Sequence, residues 1–189
     1  MILGGAVSTS CANAVLGRPA DAPLRADSPL LRGDERATLT AAIDRILPAT
    51  TTPGGVEAGV PDFVEFVLVE GFEEDGRQRF RDGLAQLDAS ALEQYGAGFA
   101  TVAPEMRDSL LAAVEQRELS AAPPSGGLDF FGGLQDDKPF FATLKELSVV
   151  GFFTSQVGAT QVFDFHAWPG RFDGCAAREP GVRPAFPLF

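Results

Sequence analysis

The chain has 189 residues, 45% of them apolar, which is enough for one folded domain with a real core and too apolar for a disordered chain. Its formal charge of −11, from 26 acids against 15 bases, argues against nucleic-acid binding through phosphate neutralisation and disfavours docking on anionic lipid through charge. Two cysteines and one histidine are too few for a disulfide scaffold or a His-rich metal site.

Residues 1–16, MILGGAVSTSCANAVL, are small, apolar and uncharged. They resemble the hydrophobic region of a secretory signal without its basic leader, and they are too short to span a bilayer. Ser8-Thr9-Ser10-Cys11 is similar to a bacterial lipobox in its small residues, with Ser8 in place of the usual Leu. Cys11 is therefore a candidate lipidation site, and an unmodified thiol near a cleavage site is the plainer reading. Residues 17–33, rich in Pro, Ala and Asp, read as a linker.

The first helix is expected over 34–47. Leu39, Ala42, Ile43, Ile46 and Leu47 share one face, Asp34 and Glu35 complement the dipole, and Pro48 ends it. Residues 48–61, PATTTPGGVEAGVP, form a loop, ordered or mobile. Pro61 opens a second helix running through Glu70, although FVEFVLVE has strand composition too. A third helix over 75–94 carries Phe80, Leu84, Leu87 and Ala91. A fourth over 104–118 carries Met106, Leu110 and Val114, widened by Leu111.

Residues 120–137 break the pattern with SAAPPSGG and a Phe130-Phe131 pair in a Gly-rich stretch. Asp136 and Asp137 read as an N-cap pair for a fifth helix over 138–163. This helix carries Phe140, Phe141, Leu144, Leu147, Phe152 and Phe153, with Ser148, Gly151, Ser155 and Gly158 as a strip of small residues. Such a strip lets another backbone approach closely, either within the domain or from a partner. Of 16 Phe, eleven fall between Phe130 and Phe189, against a single Trp and a single Tyr in the whole chain. Phe has no polar handle, so these rings require a core or a partner to cover them. Residues 164–189 have no helical period yet retain Phe165, Trp168, Phe172 and Phe186, as expected of an extended arm lying over a surface.

Chemical motifs are scarce. No dinucleotide fingerprint, c-type haem site, nucleophile elbow or P-loop occurs. His166, beside Trp168, reads as structural or solvated, and the acids Glu70, Glu73, Glu74 and Asp75 do not follow calcium-loop spacing. No catalytic, cofactor-binding or metal-binding residue is assigned.

Three groups of residues carry a family resemblance. They are Ile46-Leu47-Pro48-Ala49 with Thr52-Pro53-Gly54 and Ala58-Gly59-Val60-Pro61; the run from Phe140 to Leu147 continued by Gly151 to Thr160; and Pro169-Gly170-Arg171-Phe172-Asp173-Gly174-Cys175. In order they resemble the gluconate 2-dehydrogenase subunit 3 family, over about 34–175. The resemblance implies a small, non-catalytic subunit of a periplasmic, FAD-dependent dehydrogenase acting on sugars, glycosides or sugar acids. FAD would sit in a GMC-type large subunit, and c-type haem in a third. The small subunit of that family carries a twin-arginine signal, a pair absent from residues 1–16, and helps the flavoprotein mature and leave the cytoplasm. Membrane association would come only through the partner or a lipid anchor.

The expected architecture is all-α, a compact bundle of about five helices with long loops, made of a signal-like segment (1–16), a linker (17–33), a helical domain (34–163) and an aromatic arm (164–189). Partner contacts are expected at Phe140, Phe141, Gly151, Phe152, Phe153, Ser155, Gly158, Trp168, Phe172 and Cys175. If Cys11 is lost or lipidated, Cys175 has no internal partner, and in the oxidising compartment that the resemblance implies it points to an intermolecular disulfide, with a buried free thiol as the alternative. A free-standing helical lipoprotein or periplasmic ligand-binding module is the competing reading.

Overall fold

The computed structural model describes residues 29–31, 33–121, 138–165 and 185–186. Cys11, Phe130, Phe131, Asp136, Asp137, His166, Trp168, Phe172 and Cys175, named above, lie outside the described residues. The fold is all-α. Its α-helices are α1 (Asp34–Ile46), α2 (Val60–Gly71), α3 (Glu74–Tyr95), α4 (Pro104–Ala121) and α5 (Phe140–Thr154), followed by a π-helical turn at Gly158–Val162. Two short strands, β1 (Asp164–Phe165) and β2 (Ala185–Phe186), pair in parallel with Asp164 opposite Ala185.

The periodic apolar positions build the core as their spacing predicts. Leu39, Ala42 and Ile43 of α1, Val60, Val64 and Leu68 of α2, and Phe80, Leu84, Leu87 and Ala91 of α3 are all buried. The strand-like run in FVEFVLVE is helical, opened by Pro61 after the left-handed Gly59 at φ 77°. On α4 the buried pair is Leu110 and Leu111, while Met106 stays 39% exposed. Arg107 explains the difference: it takes the place on the inner face one turn before Leu110 and Leu111, and its guanidinium donates to the Ala100 carbonyl at 2.8 Å.

Two glycines let rings sit on helix backbones. A Cβ at Gly151 of α5 would lie 2.5 Å from the Phe63 ring of α2, and one at Gly83 of α3 would lie 2.2 Å from the Phe140 ring. Phe140 also meets Phe80 edge-on at 5.2 Å between centroids. The small residue at 151 thus serves close packing inside the domain.

A buried carboxylate fixes the entry to α1. Glu65 of α2 accepts the Leu31 N–H at 2.7 Å and a hydrogen bond from Arg36, which also pairs with Asp62. Leu31 itself is buried in the core. Arg36 supplies the opposite charge that a buried carboxylate requires. On the surface, Arg45 grips Asp108 with two hydrogen bonds, at 2.7 and 2.8 Å. That hydrogen-bonded guanidinium holds the Asp108 carboxyl below its usual range. A lowered carboxyl favours the fold at neutral pH and loses that effect as pH falls through its range. Because Asp108 is half exposed, the contribution is small.

Helix α5 starts after Pro139, which provides no side-chain cap. The Glu118 carboxylate of α4 does so instead, accepting the Phe141 N–H at 2.8 Å and the Ala142 N–H at 3.1 Å. It satisfies two of the orphan donors and opposes the positive end of the helix dipole. Glu118→Ala is expected to lower the unfolding free energy by about 1–2 kcal/mol with an unchanged denaturant slope. Urea melts check this, and an unshifted midpoint would contradict the capping role.

Candidate partner interface

The expected fifth helix over 138–163 is not continuous. It ends at Thr154, and Ser155 is extended at φ −71°, ψ 153°. The Ser155 hydroxyl donates to the Phe152 carbonyl at 2.8 Å and accepts the Gly158 N–H at 2.9 Å. This small side chain bonds to backbone on both sides of the break, which is how serine competes with helix geometry. The chain re-enters as the π turn, closed by the Phe163 N–H donating to the Gly158 carbonyl at 2.9 Å. Ser155 and Gly158 therefore make a reversal and do not continue the Ser148–Gly151 strip.

The reversal brings aromatic rings together. In a straight helix Phe153 and Phe163 would stand about 15 Å apart along the axis. Here their rings stack with centroids 4.5 Å apart and planes at 23°. Phe152 meets both edge-on, at 6.4 and 6.5 Å. Gly158 permits the fold-back, because a Cβ there would lie 2.1 Å from the Phe152 carbonyl oxygen.

Of the residues expected to meet a partner, Phe141, Gly151, Phe152 and Gly158 are buried within the domain. Phe140, Phe153 and Ser155 are half-buried, and both of those rings pack against the core. The phenylalanines of α5 and the turn thus find cover first from their own chain. Lys145 is exposed beside them, paired with Glu115 at 2.6 Å and set over the Phe141 ring.

Open surface next to this cluster lies where the π turn faces the loop between α1 and α2. That loop is ordered. The Gly55 N–H donates to the Leu47 carbonyl at 2.8 Å, the Val60 N–H to the Gly55 carbonyl at 3.0 Å, and the Thr50 N–H to the Thr52 carbonyl at 2.9 Å. The Glu57 carboxylate accepts the Gly54 N–H at 2.6 Å. Gly54 is required by crowding, since a Cβ there would meet the Ala49 nitrogen at 2.6 Å. Between loop and turn runs an open cleft of about 540 Å³, lined by Ala49, Thr50, Thr51, Thr52, Pro53, Glu57, Val157 and Gln161. Its lining has no base to meet a pyrophosphate and no aromatic ring to stack on a flavin, so it does not fit FAD. Among the described residues no group of three or more His, Cys, Asp or Glu is arranged to hold a metal ion. No described helix is long and apolar enough to cross a membrane.

In the sequence the 48–61 loop and the Val157 segment stand apart. Nothing in their spacing announced that they share a cleft, because the reversal at Ser155 is what joins them.

These features define an all-α domain whose aromatic seam is packed internally and whose neighbouring surface is an open cleft lined mainly by small polar residues, with Glu57 its one charged group. A family model described as gluconate 2-dehydrogenase subunit 3 matches residues 33–170, and the chain belongs to that family. The family name places such chains in a multi-subunit gluconate dehydrogenase complex. Neither the curated proteins nor the solved structures gave a match.

Gly158→Ala is expected to cost about 1–3 kcal/mol, the range for forcing extra bulk into a packed site. Thr160→Ala, at an exposed position of the same turn, is expected to cost well under half as much. Thermal melts of the two variants test this, and equal midpoints would refute the close-contact account of the reversal.

Proposed function

We propose that the chain is the non-catalytic small subunit of a periplasmic, FAD-dependent dehydrogenase of sugars, glycosides or sugar acids, and that it assists maturation, export and stability of the flavoprotein subunit. Family membership over residues 33–170 is the observation that carries this reading. The site chemistry supports it. The buried carboxylate Glu65 is committed to Arg36 and the Leu31 amide, and Glu118 to the start of α5. Neither is left as an acid or base for a substrate. In this reading FAD resides in a GMC-type large subunit, c-type haem in a third, and any membrane association comes through a partner or a lipid on Cys11.

Deleting the gene is the direct test. The expected outcome is loss of the flavoprotein and of its dye-linked sugar dehydrogenase activity from the periplasmic fraction, restored by supplying the gene in trans. Normal periplasmic activity in the deletion strain would reject the role. A free-standing lipoprotein predicts that normal result.

We further propose that Cys175 forms a disulfide with the large subunit. The purified complex should show a band at the summed mass on non-reducing gels that disappears with thiol and in Cys175→Ser. A complex without any thiol-sensitive band excludes the bridge.

A further inference from the structure

Residues 29–31, which lead into α1, belong to no helix or strand, yet Leu31 is buried in the core cluster and Leu30 packs against it. Glu65 of α2, itself buried, accepts the Leu31 N–H at 2.7 Å across 34 positions of sequence. A main-chain donor on a charged acceptor makes a stronger bond than a neutral pair. The segment is therefore seated by one apolar side chain and by a carboxylate of another helix.

Two features make this seat separable from the rest of the fold. Gly33, between the segment and α1, stands at φ 53° and ψ −120°, and a Cβ there would meet nothing within 4 Å. The backbone angle and not crowding calls for glycine here, so the bend is free to rotate. Arg36, the counter-charge of Glu65, has other acceptors on α2, the Asp62 carboxylate and the Pro61 carbonyl at 3.3 Å. Lifting Leu31 away thus leaves Glu65 paired with Arg36. It also leaves α1 held to α2 through Arg36 and through the buried Leu39, Ala42 and Ile43.

We infer that residues 29–31 form a strap, seated on α2 by Glu65 and the Leu31 side chain, that opens on Gly33 as a unit while α1 to α5 stay folded. Opening moves the point at which the chain joins the domain from Pro29 to Gly33. It uncovers the apolar seat of Leu31 and the Glu65 oxygen beside it. Such a local opening lies below global unfolding in free energy because it exposes little surface.

Native-state hydrogen exchange on the full chain tests this, read by NMR at the Leu31, Leu39 and Leu84 amides in low concentrations of urea. Leu31 is expected to exchange at least roughly tenfold faster than Leu84, yet well below the rate of an unprotected amide, and to respond little to urea. Leu39 of α1 and Leu84 of α3 should exchange together and accelerate steeply. Glu65→Ala is expected to raise the Leu31 rate roughly tenfold, and Glu65→Gln, which keeps an acceptor oxygen, to raise it less. A Leu31 rate as steep in urea as that of Leu84 places the segment in the global unit and overturns the strap. So does an unprotected Leu31, a Leu39 rate that is flat in urea alongside Leu31, or a Leu31 rate unchanged by Glu65→Ala. If that variant fails to fold, the wild-type urea profiles decide.

Discussion

The contact on which the rest of the structure depends is the close approach of α2 to α5 at Gly151. The Phe63 ring occupies the space where any other residue would place its Cβ. Both helices are apolar around most of their circumference and need cover on more than one side. Pressing them together buries Val60, Val64 and Leu68 against Leu144, Leu147 and Phe152 in one cluster. Each buried Phe or Leu side chain contributes roughly 1.5–3 kcal/mol relative to exposure. The seam therefore contributes a substantial part of the core.

The seam also determines what remains at the surface. Once α5 is packed on α2, its carboxyl end has to turn before running past the loop between α1 and α2. Ser155 and Gly158 make that turn with two side-chain hydrogen bonds and a missing Cβ. The turn stacks Phe163 on Phe153 and carries Val157 and Gln161 to the wall opposite the threonines. The turn thereby contributes one wall of the open cleft. The aromatic cluster and the open cleft are thus neighbours. The rings hold the scaffold, and the cleft beside them is open.

Much of this was legible in the residues. Helical periodicity located α1 to α4 within a few residues at each end, and Gly59-Val60-Pro61 with FVEFVLVE yielded a buried helix despite its strand-like composition. The fifth helix misled, because Gly151, Ser155 and Gly158 keep helical spacing whether or not the chain bends. Only the Ser155 hydrogen bonds and the crowded Phe152 carbonyl reveal the bend, and neither is announced by residue spacing. Met106 looked like core by spacing alone, but Arg107 reaches Ala100 and takes that face. The Glu118 cap was invisible for the same reason, since it reaches α5 from another helix across 23 positions of sequence. Residues Trp168, Phe172 and Cys175 lie outside the described structure, and their expected roles stand on the sequence alone.

The domain covers its own α5 phenylalanines, with Phe141 and Phe152 buried in the same cluster as Leu144 and Leu147. Hydrogen–deuterium exchange on the free chain tests this most directly. Amides of residues 144–152 should be strongly protected without any partner, to a degree similar to those of the buried turns of α2 and α3. Rapid exchange throughout 144–152 in the free chain, suppressed only when the flavoprotein is added, would contradict it.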